Sequence, residues 1–96
     1  MDYSSTDIEK YIGPIMTACR KRAGLSQEKL AELLYISRSS ISKLENNNAT
    51  PNLDLFLEWG KVTNSKDAVV AMFCGKKGVG WLIAKLNEEG YWIESS

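Results

Sequence analysis

The 96 residues are enough for one domain, and a composition of 44% hydrophobic and 25% charged residues is that of an ordinary globular protein. There is no histidine, Cys19 and Cys74 lie far apart, and no nucleophile–base pair is recognisable, which argues against the usual metal sites and against catalysis. We therefore expect no metal or other cofactor, no enzymatic activity, no membrane span, and two reduced, partly buried thiols in a cytoplasmic protein.

Charge is distributed unevenly along the chain, although twelve basic and twelve acidic residues cancel to a net charge of zero. Residues 1–9 contain three acids and no base, whereas residues 10–48 contain seven bases and three acids. The basic excess therefore falls on one segment, which favours a nucleic-acid surface there. Because few phosphates would be neutralised per subunit, the non-specific affinity is expected to be modest.

The first helical pattern contains Pro14, which removes a backbone donor and crowds the preceding turn. The pattern predicts a short helical turn over residues 7–12, followed by a separate helix from about residue 13 to residue 23. Pro14 then lies in the first turn of that helix, and Gly24 ends it.

Residues 24–45 predict two short helices joined by a tight turn, with Ser26 and Ser37 as N-caps. The outer face of the second helix carries two cations and several hydroxyls, with no acid before Glu45. Such a face suits a helix in the DNA major groove, because Arg and Lys reach guanine edges and phosphate and Ser reaches either. The alternative is a solvent-exposed helix of a small all-α bundle. The residues on this face are Arg38, Ser39, Ser40, Ser42 and Lys43.

The same segment resembles the helix-turn-helix of the Cro/lambda-repressor-like (Xre) family of bacterial and phage regulators. The matching residues are Leu25-Ser26-Gln27-Glu28-Lys29-Leu30-Ala31 and Ser37-Arg38-Ser39-Ser40-Ile41-Ser42-Lys43-Leu44-Glu45. The resemblance implies an all-α, five-helix lambda-repressor-like DNA-binding domain over residues 1–74. It also implies a homodimeric, sequence-specific repressor of phage or mobile-element type that binds double-stranded DNA in the bacterial cytoplasm, at the nucleoid.

The resemblance also assigns roles to individual residues. Arg20 and Glu45 are expected to form a structural salt bridge, which leaves Lys21 and Arg22 for phosphate. The family often has Gly or Asn where Tyr35 stands, so either the turn differs here or the Tyr35 ring packs on something. The expected DNA-binding residues are Gln27, Ser37, Arg38, Ser39, Ser40, Ser42, Lys43, Asn46 and Asn47, with Arg38, Ser39 and Lys43 on base edges.

The second half of the chain predicts two more helices and a tail. Asn52 is expected to cap the fourth helix, whose Leu53, Phe56 and Leu57 face the core. Ser65 is expected to cap a fifth helix from residue 66 to residue 73 or 74, apolar on nearly every side. Residues 75–80 predict a flexible hinge, followed by a helix over residues 80–89.

Residues 75–96 form an aromatic-rich extension, which either packs on the core or forms a dimer interface. The alternative function is a protein-interaction regulator, an antirepressor or antitoxin, that binds a protein partner through this tail. The candidate interface residues are Val70, Phe73, Trp81, Leu82, Leu86, Tyr91 and Trp92.

Overall fold

The computed structural model describes residues 5–92, and every regular element in that range is an α-helix. The expected all-α class is therefore confirmed. No described helix has the length and apolar character that crossing a membrane requires. Residues 93–96, the end of the expected extension, lie outside the described part. The helices are α1 (Ser5–Arg22), α2 (Gln27–Leu34), α3 (Arg38–Glu45), α4 (Leu53–Val62), α5 (Lys66–Phe73) and α6 (Gly75–Glu88).

Three of the four expected N-caps form. Ser26, Ser37 and Asn52 each accept a hydrogen bond from the backbone N–H three residues later, at 3.0, 3.0 and 2.8 Å. These bonds satisfy donors that the first turn of a helix leaves without a partner. Ser65 occupies the expected position but its side chain does not cap α5; its hydroxyl donates to the carbonyl of Thr63 instead.

Helix α1 runs through Pro14 without a break, so the prediction of two separate pieces is wrong. Proline has no N–H to donate to the carbonyl of Lys10, one turn earlier. The side chain of Asn47 supplies the missing donor, with its Nδ2 3.0 Å from that carbonyl oxygen. Its Oδ1 accepts from the N–H of Gly13 at 2.8 Å. The donor comes from a residue 37 positions after Lys10, which no local pattern indicates.

Helix α6 begins directly after α5, and the hinge predicted over residues 75–80 is helical. Gly78 lies where α6 passes close to the end of α5, since a Cβ there would collide with the carbonyl of Ala71. Gly78 therefore permits close packing of α6 on the end of α5. The core of the described chain joins side chains from all six helices, among them Ile15, Met16, Leu30, Ile41, Leu44, Trp59, Ala71, Leu82 and Leu86.

Helix α4 contributes Trp59 to the core, and the expected Leu53/Phe56/Leu57 stripe is wrong as a core assignment. The Trp59 ring is buried and its Nε1 donates to the carbonyl of Met16 at 3.0 Å. Leu53 and Leu57 are exposed, and Phe56 is only half-buried. The large indole determines which side of α4 faces inward, because it fills the space beside α1.

Arg22 links the end of α1 to α5 and α6. Its guanidinium lies 2.7 Å from a carboxylate oxygen of Asp67 and 3.1 Å from one of Glu89. Lys85 on α6 approaches the other oxygen of Asp67 at 2.9 Å. Arg22 therefore holds the second half of the chain against α1, and the expectation that it is left for phosphate is corrected.

Acid is expected to weaken this connection. Partial burial alone would raise the pKa of Asp67, but hydrogen bonds from Arg22 and Lys85 outweigh burial and hold the pKa well below its usual range. A group whose pKa is lower in the folded state stabilises that state above its unfolded pKa, about 3.9, and loses the contribution as the pH falls. Wild-type protein should therefore lose more unfolding free energy between pH 5 and pH 2 than the Asp67→Asn variant.

Urea unfolding at a series of pH values measures this difference. Glu28→Gln, at an exposed position on α2, serves as the control and should follow wild type. Equal acid losses in Asp67→Asn and wild type would contradict the assignment.

Candidate nucleic-acid interface

The turn between α2 and α3 has ordinary helix-ending geometry. Tyr35 adopts the left-handed conformation, with φ 57° and ψ 40°. Its N–H donates to the carbonyl of Glu32 at 3.3 Å, and the N–H of Ile36 donates to the carbonyl of Ala31 at 3.1 Å. This hydrogen-bond pair is the usual termination of a helix by a residue with positive φ. The turn is therefore not a variant one.

The Tyr35 ring does not pack on the chain either, since the residue is 94% exposed. A bulky side chain with positive φ costs on the order of 1 kcal/mol relative to glycine. Within the described chain no contact of the ring offsets that cost. The turn is therefore the ordinary one, the ring has no packing partner within the described chain, and nothing in the structure explains the tyrosine.

Helix α3 turns Ile41 and Leu44 into the core and leaves Arg38, Ser39 and Lys43 exposed. Neither Arg38 nor Lys43 forms an ion pair with any described residue. The one acid of α3, Glu45, is buried. The exposed face of the helix is therefore cationic, with hydroxyl groups between the charges, as the sequence predicts.

The other serines of α3 serve the helix itself. Ser37 accepts from the N–H of Ser40 and donates to the Ser40 hydroxyl at 2.9 Å. The Nδ2 of Asn46 donates to the Ser42 hydroxyl at 3.3 Å and to the Ser42 carbonyl at 2.9 Å. These side chains remain beside the exposed face, but their first hydrogen bonds are local.

Glu45 is held by two side chains, Arg20 and Gln27, and we call the three residues the Glu45 clasp. Arg20 approaches the carboxylate with Nε 2.6 Å from one oxygen and a second guanidinium nitrogen 3.1 Å from the other. Gln27 donates to the same carboxylate at 3.0 Å. Arg20 also donates to the carbonyl of Leu25 at 2.8 Å. The ion pair that the resemblance implies is therefore present, and Gln27 joins it from the first position of α2.

Asn47 has the positive φ, 61°, that the sequence suggests. Its side chain, however, is engaged with Lys10 and Gly13 on α1. Of the two cations expected to reach phosphate beside α3, Lys21 is exposed and Arg22 is paired with Asp67. The sequence gives no signal for the Asn47 contacts beyond a proline inside a helical pattern.

The candidate protein interface divides into three groups by burial. Leu82 and Leu86 are fully buried in the chain's own core, which removes them from any surface. Tyr91 and Trp92 are half-buried, and the Trp92 ring lies 6.3 Å from that of Tyr11 on α1. The remaining three are exposed and comprise Val70, Phe73 and Trp81.

Both cysteines are free thiols. Cys19 is buried, and burial raises its pKa, so the thiol stays protonated and weakly reactive. Cys74 is exposed, which corrects the expectation that both are partly buried. Within the described residues, no cluster of cysteine and carboxylate side chains is suited to hold a metal ion.

Comparison with known proteins gives one match. The Helix-turn-helix family model HTH_3 matches residues 16–67, a little more than half of the chain. A search of curated proteins and a search of solved structures each gave no match. The matched segment begins inside α1 and ends inside α5, so it contains the Glu45 clasp and the whole exposed face of α3. The chain belongs to the Xre/Cro/lambda-repressor-like helix-turn-helix family of DNA-binding transcription regulators.

Proposed function

We propose that this protein is a sequence-specific repressor, of phage or mobile-element type, that reads operator half-sites in the major groove. The observation that carries the proposal is the exposed face of α3. It presents Arg38, Ser39 and Lys43 while the only acid of the helix is neutralised inside the chain. A solubilising helix surface would alternate acids with bases instead.

The mechanism assigns base reading and phosphate contact to different groups. Arg38 is suited to a bidentate contact with a guanine, and Lys43 to guanine or phosphate. Ser39 can reach a base edge, and the N-terminus of α2 and Lys21 can approach phosphates beside the groove. Repression would follow because bound protein occludes RNA polymerase.

Salt dependence tests the electrostatic part of this proposal. Binding to random-sequence duplex DNA, followed by fluorescence anisotropy, should weaken at least about tenfold between 50 and 200 mM salt, because phosphate contacts release counterions. An affinity that does not change over this range would contradict a DNA-binding role.

A homodimer is the second part of the proposal, and the α4–α5 face supports it. This face consists of exposed apolar side chains on two adjacent helices together with the half-buried Phe56, whose ring lies 6.5 Å from that of Phe73 in an edge-to-face arrangement. An apolar groove of about 280 Å³ opens beside them. Isolated exposed apolar residues are common, but a continuous group marks an interaction surface. The face comprises Leu53, Phe56, Leu57, Val70 and Phe73.

The charges around the α4–α5 face favour a second copy of the chain as its occupant. Asp54 lies in the first turn of α4 and Glu58 near its middle, whereas Lys61 lies in its last turn and Lys66 begins α5. A two-fold axis near Leu57 would bring the acidic end of one copy opposite the basic end of the other. Such a dimer would present two α3 helices to half-sites about 34 Å apart.

Light scattering during size-exclusion chromatography tests the dimer. Wild-type protein should have twice the 10.7 kDa chain mass, and Leu57→Glu should have the single mass, because a carboxylate would be placed inside the apolar contact. Leu33→Glu is a matched control, since Leu33 on α2 is 40% exposed and Leu57 is 42% exposed. A monomeric wild-type protein, or a dimeric Leu57→Glu, would rule out this face as the interface.

An antirepressor or antitoxin acting through the tail receives less support. That function needs the apolar tail to be free for a partner. Leu82 and Leu86 are buried, and the Trp92 ring lies against α1. Among residues 8–92, the largest group of exposed apolar side chains is on α4 and α5 instead.

A further inference from the structure

We infer that Asn47 is a positioning residue, which sets where the recognition helix α3 lies relative to α1. We use the name Asn47 bridge for the side-chain amide of Asn47 together with the two backbone groups of α1 that it contacts. Nδ2 donates to the carbonyl of Lys10 at 3.0 Å, and Oδ1 accepts from the N–H of Gly13 at 2.8 Å. Both hydrogen-bonding ends of the amide are therefore used within the chain. This inference deepens the proposed DNA reading and rests on it.

The bridge depends on a hydrogen bond that is missing from α1. Pro14 leaves the Lys10 carbonyl without its helical donor, and this is the group that Nδ2 reaches. Gly13 permits the approach, because a Cβ there would lie 2.5 Å from the carbonyl oxygen of Glu45 and 2.9 Å from that of Leu44. The last turn of α3 therefore packs directly against α1 at the Gly13–Pro14 pair.

The far side of the bridge is fixed just as closely. Asn47 follows α3 with φ 61°, and its own N–H donates to the carbonyl of Leu44 at 3.2 Å. The N–H of Asn48 donates to the carbonyl of Lys43 at 2.8 Å. The amide is therefore joined rigidly to the end of α3. Together with the Glu45 clasp, it holds this end of the helix at two points.

The first test is a stability cycle with a matched control. Asn47→Gly keeps the positive φ and removes only the amide. Asn64→Gly does the same at φ 54°, where the side chain is exposed and makes no hydrogen bond with a described residue. Asn47→Gly should lower the midpoint of thermal unfolding by roughly 5 °C, and Asn64→Gly should not lower it.

The loss should be at most about half as large in a Pro14→Ala background, because the alanine introduced there supplies an N–H to the Lys10 carbonyl. Equal midpoints for Asn47→Gly and Asn64→Gly, or an unchanged loss with Pro14→Ala, would refute the bridge.

The second test separates positioning from direct contact with DNA. Its probe is a duplex that the wild-type protein enriches from random sequences. Asn47→Gly should weaken binding roughly threefold to thirtyfold. Gly13→Ala should weaken it similarly, because a Cβ at this buried position pushes the end of α3 away, although the substitution removes no exposed side chain. Circular dichroism establishes that each variant is folded at the binding temperature.

The outcomes are distinct. A folded Gly13→Ala that binds as tightly as wild type would overturn the positioning role. If Gly13→Ala does not fold, Pro14→Ala/Asn47→Gly takes its place: it restores the α1 hydrogen bond without the bridge, so its binding should stay weak, and binding equal to that of Pro14→Ala alone would overturn the role. If wild-type protein enriches no duplex, the proposed function fails, and the stability cycle still decides whether the bridge exists.

Discussion

Replacing Arg20 with alanine is expected to lower the free energy of unfolding by about 3–5 kcal/mol. Arg20 donates three hydrogen bonds, two to Glu45 and one to the carbonyl of Leu25. The Glu45 side chain is only 5% exposed, so without Arg20 its charge keeps a single protein partner, Gln27, in a poorly solvated place. For a domain of this size the midpoint of thermal unfolding should fall by at least about 12 °C.

A second substitution identifies the cause of this loss. In Arg20→Ala/Glu45→Gln the buried group is neutral and can still accept from Gln27, so the double variant should be more stable than Arg20→Ala alone. Calorimetry of the four proteins in this cycle gives the coupling directly. An Arg20→Ala protein within about 1 kcal/mol of wild type would place the pair among ordinary surface ion pairs.

Replacing Arg38 with alanine is expected to cost about 1–3 kcal/mol of specific DNA binding, while leaving the fold intact. Arg38 is exposed and has no ion pair with a described residue, so its removal disturbs no internal contact. Preference should relax at one base position in each half-site, because the guanidinium would read one base pair.

Anisotropy titrations with single-base variants of an enriched duplex measure both effects. Lys77→Ala removes one cation from α6, outside the helix-turn-helix, and should change affinity only slightly and equally for all duplexes. Arg38→Ala binding with wild-type affinity and preference would remove Arg38 from the reading face.

Local features of the sequence predict the centre of the fold well. The caps at Ser26, Ser37 and Asn52, and the end of α1 at Gly24, each depend on hydrogen bonds within about one turn. The exposed face of α3 follows from the helical spacing of Ile41 and Leu44. The Arg20–Glu45 pair spans 25 residues, and its prediction depended on the family resemblance.

Contacts between distant residues account for the features that the sequence did not reveal. Pro14 lies inside a helix because Asn47 supplies a donor. Arg22 is engaged by Asp67, which lies 45 residues away in sequence. Leu53 and Leu57 are exposed because Trp59 occupies the core. Gly78 is a packing glycine because α5 passes beside it. In each case the local pattern is compatible with two arrangements, and tertiary contacts select one.

Selection from random-sequence duplexes of about three helical turns tests the central claim most directly. Wild-type protein should enrich a two-fold symmetric sequence whose half-sites lie about one helical turn apart, and Arg38→Ala should enrich the same sequence with one position in each half-site relaxed. Folded wild-type protein that enriches no sequence, or an Arg38→Ala protein that enriches an identical one, would contradict sequence reading through α3.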